Sequence, residues 1–213
     1  MNALAQQSQL KPLRPFQAEG VRKVLTHFDN NQSRVLAVAP PGAGKTVIAT
    51  HVVSALLRAG ERALIIAHRR EIIDQTSRTL ADAGIGHGII MGNDERTDSS
   101  QRVQVATIQS LRSRLKTNPE AGLVIIDEAH LGVADSYLQV IDNCYRDSKI
   151  LGLTGTPERL DGKGLDRVFS ELVVIATSQS LVDQGFLVPM RVLAPADRPD
   201  LSSVSTLGGD YNV

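Results

Sequence analysis

A succession of short runs, apolar almost throughout and each followed by a stretch long enough for a helix, limits this chain more than any other feature. The runs are Val35–Ala39, Ala63–Ala67, His87–Met91, Val103–Thr107, Leu123–Ile126 and Ile150–Leu153, with Val188–Leu193 as a seventh. A strand wet on one side alternates apolar and polar residues; these do not, so both of their faces must be covered. Between them Arg14–Phe28 repeats apolar residues at helical spacing (Phe16, Val21, Val24, Leu25, Phe28). Lys45–Ala59, Arg69–Ala83, Gln109–Lys116, Ser136–Tyr145 and Ser178–Gln184 also read as helices, with Gly60 and Gly84 placed to end two of them. The expected fold is α/β, a doubly wound and mostly parallel sheet in three α/β/α layers, with ligands at the carboxyl ends of the strands.

The 213 residues, 42% hydrophobic, suffice for one large domain and not for two. Residues 1–12 read as a flexible leader and 13–193 as the domain. Residues 194–213, rich in Pro, Asp, Ser and Gly, read as a linker toward something further. Lys plus Arg (23) equal Asp plus Glu (23), which excludes a globally basic binder of nucleic acid but leaves room for a local basic patch. Aromatics make up only 3%, so stacked aromatic platforms are not expected. The single Cys144 makes neither an internal disulfide nor a zinc site. Met1–Lys11 has no apolar core of a secretory signal, and no run reaches membrane-span length, so a cytoplasmic protein without a membrane partner is expected.

Two motifs carry chemistry. Ala39-Pro40-Pro41-Gly42-Ala43-Gly44-Lys45-Thr46 joins the first strand to a helix. With Pro41 leading into the loop, backbone N–H groups of Gly42–Thr46 can wrap a phosphate there: Gly42, Ala43 and Gly44 form the cradle, Lys45 reaches the β- and γ-phosphates, and the Thr46 hydroxyl is placed for Mg²⁺. Ala39 stands where the motif usually begins with Gly. The second is Val124-Ile125-Ile126-Asp127-Glu128-Ala129-His130, an apolar strand ending in two carboxylates. Adjacent carboxylates at a strand tip are costly unless a cation meets them. Asp127 suits Mg²⁺ through its waters, and Glu128 suits the base that activates an attacking water. A nucleoside triphosphate with Mg²⁺ is therefore the expected ligand. Upstream, Gln17 offers the amide geometry that pairs with adenine, and Arg14 a cation for its ring; an ordinary helix start explains Gln17 equally well.

Six segments in order now resemble the first RecA-like domain of a superfamily 2 helicase of the DEAD/DEAH-box group. They are the Gln17 segment, Ala39–Thr46, Ala67–Gln75, Ala106–Leu111, Asp127–His130 and Leu153–Arg159. Arg159–Leu165 and Gly209–Asn212 are similar to the RadD-like DNA-repair helicases, near the translocase subunits of type III restriction systems. The resemblance implies a P-loop ATPase that couples hydrolysis to movement on nucleic acid, DNA rather than RNA. It implies phosphate contacts from Arg69 and Arg70, whose charge opposes the helix macrodipole and so asks for an anion. Thr107, Gln109 and Ser110 are implied to meet the same backbone, although ordinary capping accounts for them as well. Thr154 and Thr156 become a relay between phosphate state and nucleic acid, faced by His130 acting with the catalytic group Lys45, Asp127 and Glu128. His27, His51 and His87 are given no chemistry, and His68 no firm role.

The resemblance further implies a second RecA-like domain that closes on the ATP and supplies an arginine finger. Alone, this lobe is expected to hydrolyse ATP slowly and not to unwind duplex. A nucleotide- or nucleic-acid-binding module without turnover is the alternative. A small P-loop kinase would need an acceptor pocket and lid, for which the sequence offers no candidate.

Overall fold

The computed structural model describes residues 10–131, 135–156, 165–189, 205–207 and 210–212. Six helices are named here, α1 Pro15–Asp29, α2 Lys45–Arg58, α3 Arg70–Asp82, α4 Ile108–Arg112, α5 Asp135–Cys144 and α6 Ser178–Asp183. Seven strands form one sheet: β1 Arg34–Val38, β2 Ala63–Ala67, β3 His87–Ile90, β4 Val103–Thr107, β5 Leu123–Asp127, β6 Lys149–Thr154 and β7 Glu171–Val174. Their order is β3-β4-β2-β5-β6-β1-β7, and every pairing is parallel.

Side chains that alternate along each strand go to opposite faces. Val35, Ala37, Ile65, Val105, Ile125 and Leu153 pack with Val24 of α1, Ile48 and Val52 of α2 and Ile73 and Leu80 of α3. Leu36, Ile66, Val124, Ile126 and Ile150 pack with Leu111 of α4, Tyr137 and Ile141 of α5, and Phe169. Both faces are thus covered, which is why the strands are apolar without alternation. Gly60 (φ 93°) and Gly84 (φ 70°) follow the ends of α2 and α3 as expected.

The seventh strand corrects the sequence reading. It is β7, paired with β1, and not Val188–Leu193. Val188 and Pro189 belong to no strand, and residues 190–193 lie outside the described residues. As an edge strand β7 buries only Val173, leaving Leu172 and Val174 about half exposed, so it carries no core-strand signature. The helix expected over Gln109–Lys116 stops at Arg112 and passes into a 3-10 turn at Leu115–Thr117. Within the tail read as a linker, Ser205–Leu207 and Asp210–Asn212 pair as an antiparallel hairpin.

β1 and β5 are not neighbours; β6 lies between them. The chain leaves β1 for α2 on one face and β5 for α5 on the other, which opens a crevice at the strand tips. Small residues on β6 let the flanking loops approach. A Cβ on Gly152 would stand 2.5 Å from the Phe169 ring and 2.8 Å from the Ala129 Cβ. Gly152→Ala is therefore expected to destabilise by about 1–3 kcal/mol, an overpacking cost measurable by urea denaturation. An unchanged midpoint would contradict this packing.

Candidate functional site

The loop between β1 and α2 turns on two glycines held at φ 82°, Gly42 and Gly44, a conformation costly for any other residue. Gly44 also has no room for a side chain, because a Cβ there would lie 2.6 Å from Gln17 Nε2. α2 begins directly after this loop, with Gly44 as its N-cap, and a helix start offers N–H groups to a phosphate. Ala43 is buried, while Pro41 and Gly42 are exposed. Lys45 and Thr46 open the helix.

Lys45 Nζ lies 3.8 Å from Glu128 Oε1, although one sits after β1 and the other after β5. Gly155, just past β6, lies against the phosphate loop, where a Cβ would stand 3.3 Å from Pro41 Cδ and 3.7 Å from Lys45 Nζ. Glu128 is held at φ 51°, a left-handed conformation that a glutamate adopts only when its surroundings impose it. Its N–H donates to Asp127 Oδ1 at 3.1 Å. Burial pushes the Asp127 carboxyl above its ordinary value, and the Glu128 charge adds to this; Lys45 and His68 pull the other way. Asp127, buried beside the Glu128 charge, is thus the carboxylate whose ionised form a further cation would favour.

His130 ties the carboxylates to β6. Its Nδ1 lies 3.5 Å from Glu128 Oε2 and 3.3 Å from Thr154 Oγ1. Thr154 is fully buried. Its hydroxyl donates to Thr156 O at 2.8 Å and accepts from Thr156 N at 3.2 Å. Lys45, Asp127, Glu128, His130, Thr154 and Thr156 therefore form one connected set. Pro157–Arg159 of the same motif lies outside the described residues.

Gln17 clamps the phosphate loop. Buried at the start of α1, it donates from Nε2 to Ala43 O at 2.7 Å and accepts from Arg14 N at 2.9 Å. One donor and one acceptor position of the amide remain for a ligand. The Arg14 guanidinium lies 4.8 Å from the centre of the Phe186 ring.

The third group is dispersed along the tips of β2 and β4. Arg69 and Arg70 are exposed at the start of α3. Thr107 and Ser110 are engaged in capping: Ser110 N donates to Thr107 Oγ1, and the Thr107 hydroxyl donates to Ser110 Oγ at 3.0 Å. Gly92 N also donates to Ser110 Oγ. Gln109 is the exposed member of that trio. His27, His51 and His87 bond to Gln32, Lys11 O and Ser77 respectively, each within a structural setting.

Sequence reasoning missed Asp94 and Arg96, which follow β3 and share no periodicity with it. Arg96 meets Asp94 at 2.8 Å and Asp74 at 2.7 Å, while Arg70 lies 3.8 Å from Asp94. Arg96 holds the Asp94 carboxyl down at about 2. Asp94→Ala is expected to cost about 1–2 kcal/mol at neutral pH, toward the lower end because Arg70 and Arg96 are 64% and 43% exposed. The depressed value fixes the sign. The contribution is present above the ordinary carboxyl value of 3.8 and is lost as pH falls toward about 2, so wild type and variant should converge in acid. Denaturant midpoints at pH 7 and pH 3 measure this. Phe186 was also missed, and His68 was named without a firm role. Among the described residues, His68 Nδ1 and Tyr137 Oη are buried and find no hydrogen-bond partner, and burial pushes the Tyr137 phenol to about 12.

A glycine loop between strand and helix, with its lysine meeting a strand-end acidic pair, defines a P-loop nucleotide-binding domain of RecA-like build. The chain matches the family described as type III restriction enzyme, res subunit, over residues 10–159. It is 30% identical to a Schizosaccharomyces pombe protein provisionally named mitochondrial ATP-dependent helicase irc3, over 85% of this chain and 32% of that one. It is 34% identical to the DNA 3'-5' translocase XPB2 of Sulfurisphaera tokodaii, over 71% of this chain and 32% of that one. The helicase domain of Pyrococcus furiosus Hef superposes with a TM-score of 0.68 at 20% identity, over 84% of this chain and 41% of that one, a likeness of fold. The chain belongs to the type III restriction res-subunit family, as a first RecA-like domain of the superfamily 2 helicases. The chain spans about a third of the length of the curated relatives it matches. Among the described residues no helix is long and apolar enough to cross a membrane.

Proposed function

We propose that this domain, residues 13–193, is the ATP-binding half of a DNA-dependent motor whose second RecA-like lobe closes over the nucleotide. Residues 1–12 would act as leader and 194–213 as the connection toward that lobe. The contact that carries the reading is Lys45 with Glu128 at 3.8 Å, joined through His130 to Thr154.

In this reading Gly42, Ala43 and Gly44 cradle the β-phosphate and Lys45 bridges the β- and γ-phosphates. Among the described residues no three His, Cys, Asp or Glu side chains could hold a metal by themselves. That suits Mg²⁺, which takes one or two protein oxygens and completes its shell with phosphate and water. The Thr46 hydroxyl would hold it directly, and the Asp127 carboxylate through the metal's waters. When bound, Mg²⁺ neutralises phosphate charge as it develops. Glu128 accepts the proton of the attacking water, and Lys45 and His130 set its orientation from either side. Loss of the γ-phosphate reaches Thr154 and Thr156 through His130. Arg14 and Gln17 meet the base, and Gln17 transmits that contact to Ala43.

Arg69 and Arg70 meet nucleic-acid phosphates, joined by Gln109, with Thr107 and Ser110 shaping the loop beside them. DNA is favoured over RNA by the translocase relative, and by fold neighbours whose structures were solved with DNA, a type ISP restriction enzyme and a SWI2/SNF2 core. The test is ATP turnover by the whole polypeptide containing this lobe, with duplex DNA, single-stranded DNA and RNA. Acceleration of tenfold or more, on the order of 1.4 kcal/mol off the barrier, by one of the DNA forms is expected. No acceleration by either DNA would overturn the reading.

A further inference from the structure

Phe186 is a half-buried aromatic that no motif accounts for, and it stands against Arg14. The structure builds a fixed hook to carry it. Thr177 and Ser180 cap α6 reciprocally, Ser180 N donating to Thr177 Oγ1 at 3.1 Å and Thr177 N to Ser180 Oγ at 3.0 Å. Gly185 (φ 72°) ends the helix. The N–H groups of Phe186 and Leu187 then both donate to Leu181 O, at 2.8 and 3.0 Å. Leu181, fully buried, packs with Phe16 and with Ala39 and Ala43 of the phosphate loop.

From this hook Phe186 makes two ring contacts. Its centroid lies 5.3 Å from that of Phe16 at an interplanar angle of 59°, which fixes the ring. The Arg14 guanidinium sits 4.8 Å from the same centroid, within cation–π range. Arg14 is otherwise exposed. A guanidinium is planar and stacks on rings through either face, so one held against a phenyl ring is positioned to receive a second flat ring on the other. The neighbouring Leu187 reaches the phosphate loop itself, its Cδ2 standing 3.0 Å from where a Gly42 Cβ would be.

We propose that Phe186 is a positioning residue for the nucleotide base, holding the Arg14 guanidinium flat so that its open face stacks on the purine. The inference rests on the reading above that Arg14 and Gln17 meet the base. It adds the element that makes Arg14 an ordered platform instead of a free surface arginine, and so lowers the entropy lost when the base binds.

The test uses this chain and two probes, Mg²⁺·ATP and inorganic tripolyphosphate, which has the phosphates without the base. Phe186→Leu keeps apolar bulk and removes the ring face. It is expected to weaken ATP about 3- to 10-fold and to leave tripolyphosphate unchanged, with Phe186→Tyr restoring ATP affinity. In an Arg14→Ala background Phe186→Leu should add nothing, because both act through the same guanidinium. Phe186→Met replaces Phe186→Leu if the latter does not fold. The proposal is overturned if ATP binding is unaffected, if both probes weaken equally, or if the effects of the two substitutions add. If Arg14→Ala and Gln17→Ala shift the ratio of the two affinities while Phe186→Leu does not, only this inference fails. If none of the three shifts it, the base-site reading fails and the inference with it.

Discussion

Glu128→Gln is expected to keep ATP binding and to lower turnover by about 10²–10⁴-fold, the range for loss of a positioned general base. The amide matches the carboxylate in size, so the φ of 51° and the packing of the turn are retained. It cannot accept a proton from water. The fold should not suffer, because Glu128 is one of the groups that push the Asp127 carboxyl up, and neutralising it relieves that repulsion. Turnover in the whole polypeptide and nucleotide affinity of this chain are the two measurements. A rate within threefold of wild type would remove Glu128 from the chemistry. Weakened ATP binding with an unchanged rate would place it among the binding groups instead.

Lys45→Ala has the second large effect, on affinity. The side chain is only 13% exposed, so its charge acts on a phosphate with little solvent screening. Removing one partner of such a desolvated pair costs about 2–5 kcal/mol, and about 100-fold in the Kd for ATP is expected. The variant also leaves Asp127 and Glu128 without their nearest ammonium, so the nucleotide-free domain should lose some stability while remaining folded. Calorimetric titration with Mg²⁺·ATP, beside a thermal unfolding curve, separates the two effects. Equal affinity in a folded variant would contradict the loop assignment.

Six of the sheet's strands were legible in the sequence because burial on both faces removes the ambiguity of alternation. β7 was not, since an edge strand with Leu172 and Val174 half exposed carries no such signature. The contacts among Lys45, Glu128, His130 and Thr154 were foreshadowed by motifs that end strands, because a parallel sheet brings all its carboxyl ends to one edge. What spacing could not show was the means. β6 stands between β1 and β5, with Gly152 leaving room for Phe169 and Ala129 and Gly155 lying against Pro41 of the phosphate loop. Nor does a sequence announce that Glu128 is held left-handed, because that conformation is imposed by the packed turn. The capping of Thr107 with Ser110 was one of two readings left open, and local hydrogen-bond competition favours it in this structure. Asp94 and Arg96 pair two residues apart in a loop without periodicity and reach Asp74 and Arg70 only through the fold, while Phe186 works through Arg14 and Phe16, distant in sequence. Phe186 alone left a trace, an apolar residue just after a helix-ending glycine.

A crystal structure of this chain with Mg²⁺ and a non-hydrolysable ATP analogue tests the central claim most directly. The expected result is one triphosphate lying over Gly42–Thr46, its terminal phosphate within roughly 3 Å of Lys45 Nζ, with the metal between that phosphate and the Thr46 and Asp127 oxygens. Glu128 should face the γ-phosphate across the position of an attacking water. A triphosphate bound away from this crevice, or Lys45 and the two carboxylates turned to separate ligands, would contradict the account.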